Sequence, residues 1–147
     1  LFSLSLYIGA EESGCDDTTC KQFWQIGHNI GMAFQIIDDV LDYTGTNDSI
    51  GKSVTIDIKQ GIFTLPLIYA AKKNSKAFQP YFEKHSFSDE DVRQIIKLVN
   101  ENGGLNRAKE LAAKYTKKAF KMIDNLPQNP YKTILKEITK ELLERKY

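Results

Sequence analysis

Between Cys20 and Tyr43 apolar residues recur at steps of three and four: Phe23, Ile26, Ile30, Phe34, Ile37 and Leu41. That spacing lays one continuous stripe along a long α-helix. A stripe of this length is stable in water only if other elements cover it. No stretch of the chain sustains the alternation with period two that marks a half-buried strand, so those elements are helices too. The fold class expected is all-α, an antiparallel helix bundle. Gly27 and Gly31 lie on the same helix, four residues apart. Glycine inside a helix costs about 0.5–1 kcal/mol relative to alanine. Two of them at this spacing point to close approach by a neighbouring helix.

The rest of the chain divides at its breakers. Leu1–Ala10 reads as the end of a buried helix, and EESGCDDT with Gly14 interrupts it. Asp17 or Thr18 is placed to cap the long helix, and Gly45 to end it. TGTNDSIGKSVTIDIKQG then reads as a polar loop of about fifteen residues, a length usually kept for function. Helices follow over Phe63–Lys73, with Pro66 in the first turn, and over Ser75–Phe82, broken at Pro80. Ser88 and Asp91 have capping-box spacing ahead of a helix that Asn102-Gly103-Gly104 stops. Leu105–Leu126 and Pro130–Lys146 complete the set. Tyr131, Ile134, Leu135, Ile138 and Leu142 form the expected buried side of the last helix, and Trp24 and the phenylalanines are assigned to the core.

Near the end of the long helix stand Asp38, Asp39 and Asp42. Residues 38 and 42 are one turn apart and share a face. Exposed like charges at this spacing repel by a few tenths of a kcal/mol per pair, and a helix C-terminus is the wrong end for anions. A divalent cation resolves the conflict, and Mg²⁺ suits one or two carboxylates completed by water and phosphate oxygens. Taken alone, the same triplet is also what a solvated acidic turn looks like. Its neighbours narrow the choice. Gln35 precedes Asp38 by three residues and carries an amide donor, while Lys52 and Asp57 follow within about twenty residues. Acids for a metal, an amide and an ammonium together suit a metal-bridged diphosphate.

Composition excludes several other classes. The 147 residues carry 20 Lys and Arg against 19 Asp and Glu, a net charge of +1 that gives no field for nucleic acid. Cys15 and Cys20, the only cysteines, supply half of a structural zinc set and demand no oxidising compartment. The opening LFSLSLYIGA has no basic leader and is too short to span a bilayer, so the setting expected is cytoplasmic. Lys59, Lys72, Lys73, Arg107, Lys109 and the basic end Arg145-Lys146-Tyr147 are assigned to the solvated surface, and His28 to packing. The first residue is Leu1 rather than Met, as in a piece of a longer chain.

FQIIDDVLDYTG followed by GKSVTIDIKQGIFTLP resembles the second aspartate-rich region of the trans-polyprenyl diphosphate synthases. FQ, DDxxD, a glycine, GK, D-I-x-x-G and T-L-P follow in the family's order without gaps. GGLNRAKELAAKYTKKAFKMIDNLP and NPYKTILKEIT resemble its closing helices, and LFSLSLYIGA the segment after its lysine–threonine pair. The resemblance covers the whole chain, residues 1–147, as the carboxyl-terminal part of one synthase domain. It implies the isoprenoid synthase bundle and condensation of isopentenyl diphosphate with an allylic diphosphate, dependent on Mg²⁺. By the same resemblance Asp38, Asp39 and Asp42 are metal ligands, with Asp39 a ligand or a partner just behind. Gln35 and Lys52 bind the allylic diphosphate, Asp38, Asp39 and Lys52 take part in catalysis, and Asp57 stands behind them.

The family's habit implies a homodimer or a pair of unlike subunits. Ile62 occupies a position where lysine is common, which points to a medium- or long-chain product. The first aspartate-rich motif and the basic residues for isopentenyl diphosphate are absent, so this stretch alone is expected to be inactive. A partner subunit of a heteromeric synthase is the alternative. A terpene cyclase, which carries a different second metal motif, fits less well.

Overall fold

A computed structural model describes residues 1–44 and 52–144, without the side chains of residues 52–55. Gly45 and Arg145-Lys146-Tyr147 lie outside the described residues, as does the Lys52 side chain. The described residues form eight helices and no strand: α1 (Phe2–Glu12), α2 (Asp17–Thr44), α3 (Lys52–Lys59), α4 (Leu65–Lys73), α5 (Ser75–Phe82), α6 (Asp89–Glu101), α7 (Gly104–Asp124) and α8 (Pro130–Leu143). The chain divides into two compact units. One contains Leu1–Gln35 and the chain from Leu111 onward, the other Ile36–Glu110.

The first unit centres on Ile26, Ile30, Ala119 and Ile123, with Phe2, Leu6, Phe23, Met122, Leu126 and Leu135 packed around them. Gly27 does what its spacing predicts. A Cβ there would stand 2.5 Å from the carbonyl oxygen of Phe2 and 2.7 Å from Ser3 Cα, so α1 touches α2 backbone to backbone. The helix starts at Asp17 rather than Cys20, and its cap lies one residue earlier than expected. Asp16 caps α2, its carboxylate accepting the Thr19 N–H at 2.8 Å, and this bond holds its pKa below the ordinary carboxylate value. Asn29, buried, donates to the Gln25 carbonyl at 2.7 Å.

Three expectations fail in this unit. Within α1 only Ala10 is buried, while Leu4 and Ile8 are exposed. Trp24 is 42% exposed and meets Tyr7 edge-on at 6.1 Å. On α8 the buried face is rotated. Tyr131 is 78% exposed, Ile134 and Ile138 are also exposed, and Thr139 and Leu143 are buried instead. Thr139 tolerates burial because its hydroxyl donates to the Leu135 carbonyl at 2.7 Å, which satisfies the polar group inside its own helix. The cap of α8 is Asn129, which accepts from the Lys132 N–H.

Aromatic residues enter the buried core of the second unit. Tyr43, Ile58, Leu67, Ala70, Phe78, Val92, Ile95 and Val99 form its core. Phe63 and Phe82 lie 5.3 Å apart between ring centres. The capping box of α6 is complete: Ser88 accepts from the Asp91 N–H, and Asp91 accepts from the Ser88 N–H at 3.0 Å. Lys84 and Ser88 together hold the Asp91 carboxyl down to about 2. Gly104 admits α4 closely, since a Cβ there would stand 2.1 Å from the Pro66 carbonyl oxygen.

Here too the structure differs from the sequence expectation. The stretch read as one polar loop contains α3. Alternating β-branched residues in SVTIDI argue weakly for a helix, but burying Ile58 completely is worth about 1.5–3 kcal/mol and outweighs propensity. Pro80 sits inside α5 without breaking it, in the last turn, where only two residues follow before the helix ends.

Candidate active site

The acidic motif emerges from α2 where its buried face is Ala33, Ile36, Val40 and Tyr43 rather than the Phe34, Ile37 and Leu41 of the expected stripe. The shift is about one residue around the helix, and it leaves Asp38, Asp39 and Asp42 half-buried. Val40 and Tyr43 anchor the turn on which the three carboxylates stand. The sequence already places Asp38 and Asp42 on one face, and the helix continues through Thr44, so that spacing holds in three dimensions.

Tyr43 reports the charge around it. It is 4% exposed, and burial is the first cause that pushes its phenol up to about 12. The Thr64 hydroxyl pulls the other way, while the carboxylates of Asp39, Asp57 and Asp42 add to the rise. Asp57, from α3, and the acids of α2 therefore act on one point. Thr64 stands at the N-cap of α4 with extended backbone but does not cap it. Its Oγ1 is buried beside the Tyr43 phenol without meeting hydrogen-bond geometry with any group. A buried hydroxyl beside a phenol on which three carboxylates act marks a polar pole at the edge of an apolar core. Neither Tyr43 nor Thr64 was singled out from sequence. The signal was present: Tyr43 follows Asp42 directly and lies one turn after Asp39, and Thr64 opens the T-L-P motif.

The D-I-x-x-G motif has a geometric explanation. Gly61 has φ +75, its N–H donates to the Ile58 carbonyl at 3.0 Å, and the Ile62 N–H reaches back to the Asp57 carbonyl at 2.8 Å. These two bonds make a Schellman end to α3. Ile58 plugs into the core on one side of that end, and Asp57 is left half-buried toward Tyr43. Ile62, the position expected to carry lysine, is 50% exposed.

Gln35 is exposed on α2 and lines a groove of about 410 Å³ with Phe2, Gly27, His28, Gly31 and Phe34. His28 is exposed rather than packed inside, with its ring edge-on to Tyr115 at 6.1 Å. Lys52 opens α3. Lys59 is not a lone surface lysine, because it pairs with Asp89 and draws that carboxyl's pKa down. Among the described residues no three His, Cys, Asp or Glu side chains close into a complete metal-holding group. Mg²⁺ asks for less than that, taking one or two carboxylates and filling its octahedron with water and substrate oxygens. Two aspartates one turn apart, next to a buried hydroxyl and a third acid from α3, fit such a partial set.

Comparison with known proteins identifies the family of the chain. A family model described as polyprenyl synthetase matches residues 1–99. The whole chain is 33% identical to a prenyl transferase of Cyanophora paradoxa, covering 45% of that protein. It is 32% identical to heptaprenyl diphosphate synthase component 2 of Bacillus subtilis, covering all of this chain and 42% of the relative. Among solved structures, geranylgeranyl pyrophosphate synthase of Lactobacillus brevis superposes with a TM-score of 0.89 at 33% identity, over 98% of this chain and 46% of that one. The chain thus spans less than half the length of each of these proteins. Among the described residues no helix is long and apolar enough to cross a membrane. With two thirds of its length matched by the family model and its helices superposed on a solved synthase, the chain belongs to the polyprenyl synthetase family.

Proposed function

We propose that this chain is the carboxyl-terminal part of a trans-polyprenyl diphosphate synthase and supplies the wall of the active site that holds the allylic diphosphate. The observation that supports this most is the convergence of Asp39, Asp42 and Asp57 on Tyr43, which makes an acidic pole out of two helices. Mg²⁺, when bound, supplies positive charge where the departing diphosphate gathers negative charge. Asp38 and Asp42 are the residues to hold it, with Asp39 beside them. Lys52 and Gln35 are the donors to the diphosphate, the first as an ammonium and the second as an amide. Asp57 fixes the end of α3 and adds to the negative field. Departure of diphosphate leaves an allylic cation, the isopentenyl double bond attacks it at carbon, and loss of one proton restores the alkene. Donors placed in advance around the leaving group stabilise this charge separation better than water does.

Chain elongation is tested with the full-length protein that carries this sequence, using labelled isopentenyl diphosphate and an allylic diphosphate with and without Mg²⁺. Labelled prenyl diphosphate that forms only with Mg²⁺ is the expected result, and its absence sinks the proposal unless a second subunit restores it. That condition matters because one relative, at 32% identity, is named component 2 of a heptaprenyl diphosphate synthase. A synthase built from two unlike chains is therefore the second reading. It predicts activity only when a partner chain is added.

A further inference from the structure

We propose that the exposed lysine face of α7 docks the protein onto an anionic lipid surface. This goes beyond the elongation chemistry and does not depend on it. The helix carries six basic residues and two acidic ones, in a chain whose net charge is only +1. Lys114, Lys117, Lys118 and Lys121 follow at steps of three, one and three, so all four project from one side. Each is exposed. Among the described residues none of the four belongs to an ion pair, whereas Lys21, Lys59, Lys84, Lys97, Lys136 and Lys140 each do. Four like charges stacked along one helix repel each other within the fold. An opposite charge from outside relieves that repulsion.

The face is also amphipathic. Leu111 and Tyr115 join the four lysines around a shallow groove of about 330 Å³ built entirely from α7. The Lys118 ammonium lies 5.7 Å from the centre of the Tyr115 ring. Lysine stems and a tyrosine ring give an apolar floor with a charged rim, the arrangement that lets side chains snorkel at a membrane boundary. On the opposite side Ala112, Ala119 and Ile123 are buried, so the helix is held by its own unit while the lysines face out.

The choice of lysine over arginine decides between partners. Protein interfaces deplete lysine in their buried centres, and recognition of fixed carboxylates or phosphates favours arginine's planar fork. A lipid headgroup layer is a diffuse array of negative charge, which mobile ammonium groups satisfy without a set geometry. An acidic protein is the competing partner, and the experiment separates the two.

Co-sedimentation of the full-length protein with phosphatidylcholine vesicles, plain or containing about one third phosphatidylglycerol, measures the effect. Binding to the anionic vesicles is expected to be tighter by about tenfold or more, and to fall when salt rises from about 0.05 to 0.5 M as the screening length shrinks. The variant Lys114→Gln/Lys117→Gln/Lys118→Gln/Lys121→Gln should lose most of that binding, while helix content and elongation activity stay at the parent level. A control with the same charge change, Lys72→Gln/Lys73→Gln/Lys76→Gln/Lys97→Gln, should bind as the parent does. Should the quadruple variant fold poorly, the pairs Lys114→Gln/Lys118→Gln and Lys117→Gln/Lys121→Gln carry the same comparison. Equal binding to neutral and anionic vesicles, or no difference between the lysine variant and the control, overturns the proposal. So does lysine-dependent capture by an acidic protein from a protein that ignores vesicles.

Discussion

The long helix α2 runs through both compact units and is built differently in each. Its first part, in the unit with α1 and α8, is shaped by space: Gly27 admits the backbone of Phe2, and the neighbouring core residues are isoleucines and an alanine. Its last part, in the unit with α3 to α6, is shaped by charge. Val40 and Tyr43 hold one side in an aromatic core, and three aspartates crowd the other at the helix end where anions are least welcome. One continuous helix thus combines a half that is closed to a side chain at Gly27 with a half that tolerates an unfavourable field. The first property serves the fold. The second is what a cation and a diphosphate would relieve.

The contrast breaks most visibly at Asp38. In the full-length protein Asp38→Ala should cut Mg²⁺-dependent elongation by about a hundredfold or more, the usual cost of losing one group that stabilises developing charge. Helix content by circular dichroism should not change. A variant that turns over normally would remove the chemistry from this end of α2.

Tyr43 comes next. Its phenol rises from 10.0 to about 12 in the folded protein, chiefly through burial. Folding therefore favours the neutral form. That stabilisation is complete below pH 10 and is lost as pH rises through about 12, and two pH units correspond to on the order of 3 kcal/mol. Alkaline unfolding curves of Tyr43→Phe should be flatter than those of the parent over this window. Superimposable curves would mean that the phenol is not confined as described.

The steric half is tested by adding one methyl group. Gly27→Ala and Gly104→Ala each push a Cβ into a backbone carbonyl, and each should cost about 1–3 kcal/mol in denaturant midpoints. Gly9→Ala, in α1 with nothing within 4 Å of the new Cβ, should go the other way by about 0.4–1 kcal/mol. Three stabilising effects would show that intrinsic helix preference, not packing, governs these positions.

The remaining effect concerns the start of α6. Ser88→Ala removes a cap and should cost about 1 kcal/mol by the same measurement. Asp91, whose carboxyl lies lowered from 3.8 to about 2, contributes stability that is present above the ordinary value and lost as pH falls through about 2. Acid unfolding of the Ser88 variant should therefore begin at a higher pH.

Where a local rule was sufficient, the sequence was legible. The capping box at Ser88 and Asp91, the stop at Gly103 and the close approach at Gly27 each follow from a few neighbouring residues. The family motif proposes Asp38, Asp39, Asp42, Gln35, Lys52 and Asp57, and of these the structure brings Asp39, Asp42 and Asp57 to bear on one phenol. What escaped was set by single side chains or by distant parts of the chain. The buried face of α8 turned because Thr139 satisfies its hydroxyl within the helix, and periodicity alone ranks threonine below isoleucine. Helix α3 escaped because only tertiary burial of Ile58 reveals it. Tyr43 looked like one more aromatic residue until Thr64 and Asp57, more than a dozen residues away in sequence, were seen to act on it.

Gly61 and Gly27 are the same residue under opposite demands. Around Gly61 a Cβ would meet nothing within 4 Å, yet the backbone stands at φ +75. The position therefore discriminates by handedness and not by size. A D-alanine placed there by chemical synthesis would keep the α3 terminus intact and stiffen it, where the L-enantiomer would strain it. At Gly27 the obstacle to an L-residue is the Phe2 backbone itself, and φ is not positive, so a mirror-image residue gains nothing there. A mirror-image residue thus distinguishes, in a single experiment, a glycine kept for its chirality from one kept for its smallness.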